Sequence, residues 1–191
     1  MPIEVELKAR VPHRDRLLLA LDQRAKGEPS VYRDTYYDTP DDALAEAGKE
    51  LRVRVVELTD GTSGRRVVLT FKSPPLDATS QPEQETTVAN ANAIAAILDG
   101  IGYVPALAYE KHCINYTLTH RGRATTVTFV QVPELGGETF VEIETLVEHA
   151  SETAAATEVI QAVLVELLSL DETAVTDELY TDAVRRHRAA T

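Results

Sequence analysis

The chain has 191 residues, 43% of them hydrophobic, and a formal net charge of -12 from 31 acidic and 19 basic residues. Such an acidic balance excludes a surface built to hold nucleic acid or anionic lipid nonspecifically, so any anion site must be local and enclosed. The single cysteine, Cys113, excludes an intramolecular disulfide framework and a zinc centre of several thiolates, and no apolar run approaches the roughly 20 residues of a membrane span.

These bounds predict one compact domain over residues 1–191, soluble and cytoplasmic, with no basic-then-apolar leader ahead of the first strand. That strand is written in Glu4-Val5-Glu6-Leu7-Lys8, where Ile3, Val5, Leu7 and Ala9 alternate with Glu4, Glu6, Lys8 and Arg10 at the period of a β-strand. Pro12 to Lys26 follows with Leu17, Leu18 and Leu21 at helical spacing and Gly27 as its stop. Val31 to Asp38 is β-branched and aromatic, hence a strand, and Thr39-Pro40-Asp41-Asp42 breaks it.

Glu50 to Leu58 alternates again, with Arg52 and Arg54 opposite Leu51, Val53 and Val55. The turn Thr59 to Gly64 makes Arg66 to Lys72 its hairpin partner, so the pair shares a cationic face. After a Pro-rich loop, Glu83 and Glu85 sit two apart in a short strand, and Asn90 to Gly100 reads as a helix of small residues. Three strands follow, Leu107 to Leu118, Ala124 to Val132 and Thr139 to Leu146, and the last puts Glu142 and Glu144 on one face. Ser151 is placed to cap an Ala-rich helix, so C-terminal helices start at about residue 151.

The sum is an α+β chain of about eight strands in meander order, several charged at every second position. Facing water, those charges would make an ordinary half-exposed sheet. In a closed antiparallel barrel of about eight strands they line a polar tunnel, with helices packed outside on the apolar faces. Inside such a tunnel Glu4, Glu6, Glu142 and Glu144 supply hard oxygen ligands suited to Mg²⁺ or Mn²⁺. Lys8, Arg52, Arg54, Lys72 and Lys111 supply charge for a polyphosphate, and opposite charges enclosed together sustain one another.

Glu4-x-Glu6-x-Lys8 at the start, Tyr36-Tyr37-Asp38-Thr39, Leu51-Arg52-x-Arg54, Thr70-Phe71-Lys72, Glu110-Lys111 and Phe140-Val141-Glu142-Ile143-Glu144 resemble the CYTH superfamily, the triphosphate tunnel metalloenzymes. Gly102-Tyr103, Glu110-Lys111 and the Tyr180 region look most like its bacterial class IV adenylate cyclase branch. The resemblance implies an eight-stranded tunnel, Mg²⁺ or Mn²⁺ dependence and a small-molecule triphosphate substrate: ATP, thiamine triphosphate or tripolyphosphate. It assigns metal ligation to Glu4, Glu6, Glu142 and Glu144, and triphosphate binding to Lys8, Arg52, Arg54, Lys72 and Lys111, with Glu85 as a further tunnel residue. Catalysis would rest on Glu4, Glu6, Lys8 and Lys111.

Two positions depart from the family pattern: Cys113 stands where an Arg is usual, and Val130 where an Asp is usual. Either the activity is altered or Arg121, Arg123 or Glu138 compensates. His13, His112, His120, His149 and His187 have no ligand spacing and read as surface or loop residues, and Tyr36, Tyr37 and Asp38 as packing and turn residues. Three functions follow from different classes: a cyclase, preferred on the resemblance, a triphosphatase, and a noncatalytic polyphosphate or nucleotide binder. A homodimer is compatible with all three, and neither nucleic acid nor membrane is an expected partner.

Overall fold

The structure, a computed structural model, describes residues 1–61 and 64–191; Thr62 and Ser63, at the tip of the expected Thr59 to Gly64 turn, lie outside the described residues. Eight antiparallel strands close into a barrel: β1 (Ile3–Arg10), β2 (Glu28–Asp38), β3 (Glu50–Leu58), β4 (Arg65–Lys72), β5 (Ser80–Val88), β6 (Val104–His120), β7 (Arg123–Gln131) and β8 (Thr139–Val147). Five helices accompany them among the described residues: α1 (Arg14–Asp22), α2 (Ala43–Glu46), α3 (Ala91–Gly100), α4 (Thr153–Ala162) and α5 (Tyr180–Ala189). No helix among these residues is long and apolar enough to cross a membrane.

The order around the barrel, β1-β5-β4-β3-β2-β6-β7-β8, is not the expected meander. Because every pairing is antiparallel, β1 and β2 run in the same direction, as do β5 and β6. Strands of equal direction need a crossover in place of a tight turn. The helices α1 and α3 lie in those two connections. Where the connection is two residues, as between β6 and β7, Arg121 and Gly122 both take positive φ, +47° and +81°, which matches the twist of a hairpin.

Apolar side chains from alternate positions point outward and are covered. Val5, Leu7, Val127, Val141 and Ile143 meet Leu17 and Leu21 of α1 and Ile160 of α4 in one cluster. Tyr37, Leu51, Val53 and Val67 meet Leu98 of α3 in another. Ile160 is fully buried, as is Ile143, and each such side chain stabilises the fold by about 1.5–3 kcal/mol.

Two local expectations need correction. The first helix already ends at Asp22, and Gly27 serves close packing: a Cβ there would stand 2.8 Å from Ile114 Cγ2 and 3.0 Å from the Tyr116 ring. Ser151 does not cap α4; a 3₁₀ turn over Ala150–Glu152 precedes the helix, and the Glu152 carboxylate accepts from the backbone N–H groups of Glu148 and His149 at 3.2 and 3.0 Å. The helices pack outside the barrel, and α5 sends one side chain inward. Tyr180, the first residue of α5, reaches into the tunnel, where it joins Tyr32, Cys113, Val130 and Phe140.

Candidate active site: a charged tunnel

Strand parity delivers the charges to one enclosed space. Glu4, Glu6 and Lys8 of β1, Arg52 and Arg54 of β3, Lys72 of β4, Lys111 of β6 and Glu142 and Glu144 of β8 all line a cavity of about 110 Å³, together with Tyr36, Glu50, Tyr109 and Tyr180. The β1–β8 register sets Glu6 directly opposite Glu144, and Lys8 opposite Glu142. Like charges in direct cross-strand positions repel, so the first of these pairs is held against its own electrostatics by the fold.

Each cation has a specific arrangement. Arg54 donates from Nε and Nη2 to the Asp34 carboxylate, both at 2.7 Å, and Asp34 is buried. Lys72 contacts Glu4 and also Glu83, the latter at 2.9 Å. Lys111 lies 3.3 Å from Glu142, and the Lys8 ammonium donates to the backbone carbonyl of Glu178. Arg52 is the least satisfied: Nη2 is 3.4 Å from Thr70 Oγ1, Nη1 is 3.8 Å from Glu50, and its buried Nε has no acceptor.

The protonation pattern follows from these pairs. Burial alone would raise the carboxyl of Asp34, yet the charge and hydrogen bonds of Arg54 hold it well below the usual range. Glu4 is likewise lowered by Lys72 in opposition to burial. Glu83 shares that one ammonium and is raised, first by burial and then by Glu4. Glu6 is pushed up to about 7 by burial and by the charges of Glu142 and Glu4. Glu144 rises well above the carboxylate range through burial and the charges of Glu4, Glu6 and Glu142.

The carboxylates of Glu4, Glu6 and Glu144 bring ligand oxygens within 4.8 Å of one another. Seven carboxylates (Glu4, Glu6, Asp34, Glu50, Glu83, Glu142, Glu144) face five cations (Lys8, Arg52, Arg54, Lys72, Lys111) in this enclosure. The excess of two negative charges falls on Glu6 and Glu144, the two acids pushed furthest from ionisation. A hard divalent cation supplies the charge and the oxygen preference that this donor set lacks, so the residues present fit such an ion. Glu142, expected among the ligands, stands instead on Lys111, outside that three-carboxylate group.

Several tunnel residues lay beyond the sequence reading. Asp34 and Tyr36 share the parity of Tyr32 on β2, and Glu83 faces Lys72, whereas Glu85, two residues on, is exposed and accepts from Thr70 Oγ1 at 3.2 Å. Tyr36 therefore does more than pack: its hydroxyl shares a hydrogen bond of 3.0 Å with that of Tyr109 inside the cavity. Asp38 does serve the turn, accepting from the N–H groups of Thr39, Leu44 and Ala45. Cys113 and Val130 stand directly opposite each other across β6 and β7, both buried. Arg121 is held outside by Glu166 and Glu138 by Arg10 at 2.5 Å, while Arg123 reaches only the groove beside Glu144 at the barrel rim.

A family model described as the CYTH domain matches residues 2–177. No curated protein sequence matches the chain at a significant level. Among solved structures, a Vibrio parahaemolyticus protein described as a candidate adenylate cyclase superposes with a TM-score of 0.80 at 22% identity, covering 96% of this chain and 98% of that one. A Pyrococcus horikoshii OT3 protein gives 0.78 at 23% identity, with the same coverage. A Hippeastrum protein, described as a candidate adenylyl cyclase with a dominant triphosphatase activity, gives 0.64 at 17% identity over 97% of this chain and 96% of that one. At these identities the likeness is one of fold. The family match is independent of it and spans every strand of the barrel, and the chain belongs to the CYTH domain family.

Proposed function

We propose that the protein is a metal-dependent enzyme that acts on a triphosphate held inside the tunnel, with Mg²⁺ or Mn²⁺ bound by Glu4, Glu6 and Glu144. The observation that carries this reading is the charge pattern of the enclosure: five inward cations among seven carboxylates, with the excess negative charge on Glu6 and Glu144 of the three-carboxylate group. A cation-lined interior that also lacks a divalent charge is complementary to a metal-bound polyphosphate.

The metal supplies Lewis-acid neutralisation of the phosphate oxygens. The chain's own residues bind and orient. Arg52, with its unsatisfied guanidinium, and the ammoniums of Lys8, Lys72 and Lys111 neutralise phosphate charge, and the closed barrel limits water. Alignment and charge neutralisation supply most of the catalysis in phosphoryl transfer, without a covalent catalyst.

The finer reading is a class IV-like adenylate cyclase, in which the ribose 3′-oxygen attacks the α-phosphorus and pyrophosphate leaves. Its support is the resemblance of Gly102-Tyr103, Glu110-Lys111 and the Tyr180 region to that branch. A triphosphatase, in which water attacks the terminal phosphorus, is the second reading, favoured by the activity described for the Hippeastrum neighbour. The purified protein incubated with Mn²⁺ and separately with ATP, thiamine triphosphate and tripolyphosphate decides between them. Cyclic AMP with pyrophosphate supports the cyclase, and orthophosphate from any of the three supports the triphosphatase. No product from any substrate overturns the enzymatic reading.

A further inference from the structure

The β1–β5 pairing extends only over Ile3 to Val5, so the rest of the β1 edge is left to another segment. The stretch before α5 takes it: Val175 bridges to Ala9, and the Thr176 N–H donates to the Lys8 carbonyl at 2.9 Å. Glu178 fastens the same stretch, its carboxylate held by Arg10 at 2.7 Å and by Arg186, and its carbonyl by Lys8. These contacts set the start of α5 over the tunnel and send the Tyr180 side chain inward.

There the Tyr180 ring meets Phe140 edge to face, with centroids 5.2 Å apart. The ammoniums of Lys8 and Lys111 lie 4.6 and 4.4 Å from its centroid. Its hydroxyl is buried beside the Glu142 carboxylate and completes no hydrogen bond of good geometry there. Buried hydroxyls without a well-formed hydrogen bond are uncommon and costly, and this one belongs to a residue that lines the tunnel with Lys8 and Lys111 against its ring.

We infer that Tyr180 is part of the triphosphate site, its hydroxyl turning from Glu142 to donate a hydrogen bond to an oxygen of a phosphate bound by Lys8 and Lys111. The inference rests on the triphosphate reading and adds a neutral donor to its cations. Burial, with the charges of Glu142 and Glu6 and the contact of the hydroxyl with Glu142, holds the phenol well above its usual range, so it stays protonated and able to donate at neutral pH. A purely structural Tyr180 would use only its ring, which Phe140 and the two ammoniums already contact.

The test is calorimetric titration of wild type and Tyr180→Phe with tripolyphosphate in Mg²⁺, alongside a melting curve for each. Phe keeps the ring and its contacts and removes only the hydroxyl. The expected result is about a tenfold to hundredfold loss of affinity, the range for a hydrogen bond to a charged acceptor, with a melting temperature equal to or above that of wild type. Equal affinity in the two proteins would overturn the role of Tyr180 and leave the triphosphate site standing. A wild type that does not bind tripolyphosphate would overturn the site reading, and this inference with it.

Discussion

Arg52 and Arg54 are the same residue type, two positions apart on one strand and facing one cavity, yet the structure predicts that they fail in different ways. Arg54 spends both its Nε and Nη2 on Asp34 at 2.7 Å, and the Asp34 side chain has 0% exposure. Arg54→Ala would leave that carboxylate buried without a partner, a loss of about 3–5 kcal/mol. At roughly 2–4 °C per kcal/mol for a chain of this length, the melting temperature at neutral pH should fall by about 6–20 °C. Adding Asp34→Asn should return most of the loss. The Asp34 pKa is depressed in the folded state, so the pair contributes above the unfolded value, 3.8, and its contribution fades as pH falls below it. Arg52, by contrast, has only a 3.4 Å contact to Thr70, a 3.8 Å approach to Glu50 and an unsatisfied Nε. Arg52→Ala should melt within a few degrees of wild type and bind tripolyphosphate about tenfold to hundredfold more weakly, as expected for a lost charged hydrogen bond. Calorimetric melting without metal and titration with tripolyphosphate in Mg²⁺ measure both. If Arg54→Ala melted within 2 °C of wild type, or Arg52→Ala fell as far as Arg54→Ala does, the division of labour drawn from these contacts would be wrong.

Glu6→Gln should stabilise the metal-free protein in a pH-dependent way. The folded pKa of Glu6 is raised from 4.5 to about 7, so its folded state is favoured below pH 4.5 and that advantage is lost as pH rises through 7. The stability gap to the variant should open across this window by up to about 3 kcal/mol, and parallel pH profiles in chelator would count against the crowded-carboxylate reading. Glu144→Gln should lower turnover with Mn²⁺ by orders of magnitude without recovery at high substrate, because a charged ligand is lost; unchanged turnover would remove Glu144 from the metal site. Cys113, buried and pushed up to about 12 mainly by desolvation, should resist alkylation at pH 8 in the native protein and react once unfolded. Its position opposite Val130 further predicts that Cys113→Arg alone destabilises by several kcal/mol, and that Val130→Asp beside it restores much of the loss. Equal melting of the single and double variants would show that the two sites do not communicate.

The Cys113–Val130 pairing bears on the departure from the family pattern that the resemblance implies. On that resemblance a cation and a carboxylate would be replaced at two cross-strand positions, and Cys113 and Val130 do face each other. Losing one alone would strand its partner, whereas exchanging both for apolar groups removes two desolvation penalties together. The result is a cavity wall in which Cys113, Val130 and Phe140 form an apolar cluster with Tyr180. Arg121 pairs with Glu166 and Glu138 with Arg10, and none of Arg121, Glu138 and Arg123 lines the enclosure.

The sequence by itself determined which side chains face inward. Alternation has a period of two, a local property of the strand, and Glu4, Glu6, Lys8, Arg52, Arg54, Lys72, Glu142 and Glu144 all lie on the face that their parity assigns. The alternation itself left an open half-exposed sheet and a closed tunnel both standing, and it is the structure that closes the barrel. Only the tertiary structure decided who meets whom. Register and strand order are nonlocal, and a shift of one residue would turn every side chain to the other face. They set Glu6 against Glu144, gave Glu142 to Lys111 and Arg54 to Asp34, and chose Glu83 over Glu85 as the partner of Lys72. The crossovers through α1 and α3 decided that β1 lies between β5 and β8, and the unpaired end of β1 drew in the segment that carries Tyr180. No periodicity near Tyr180 announces this, because its place depends on an edge left open some 170 residues earlier in the chain.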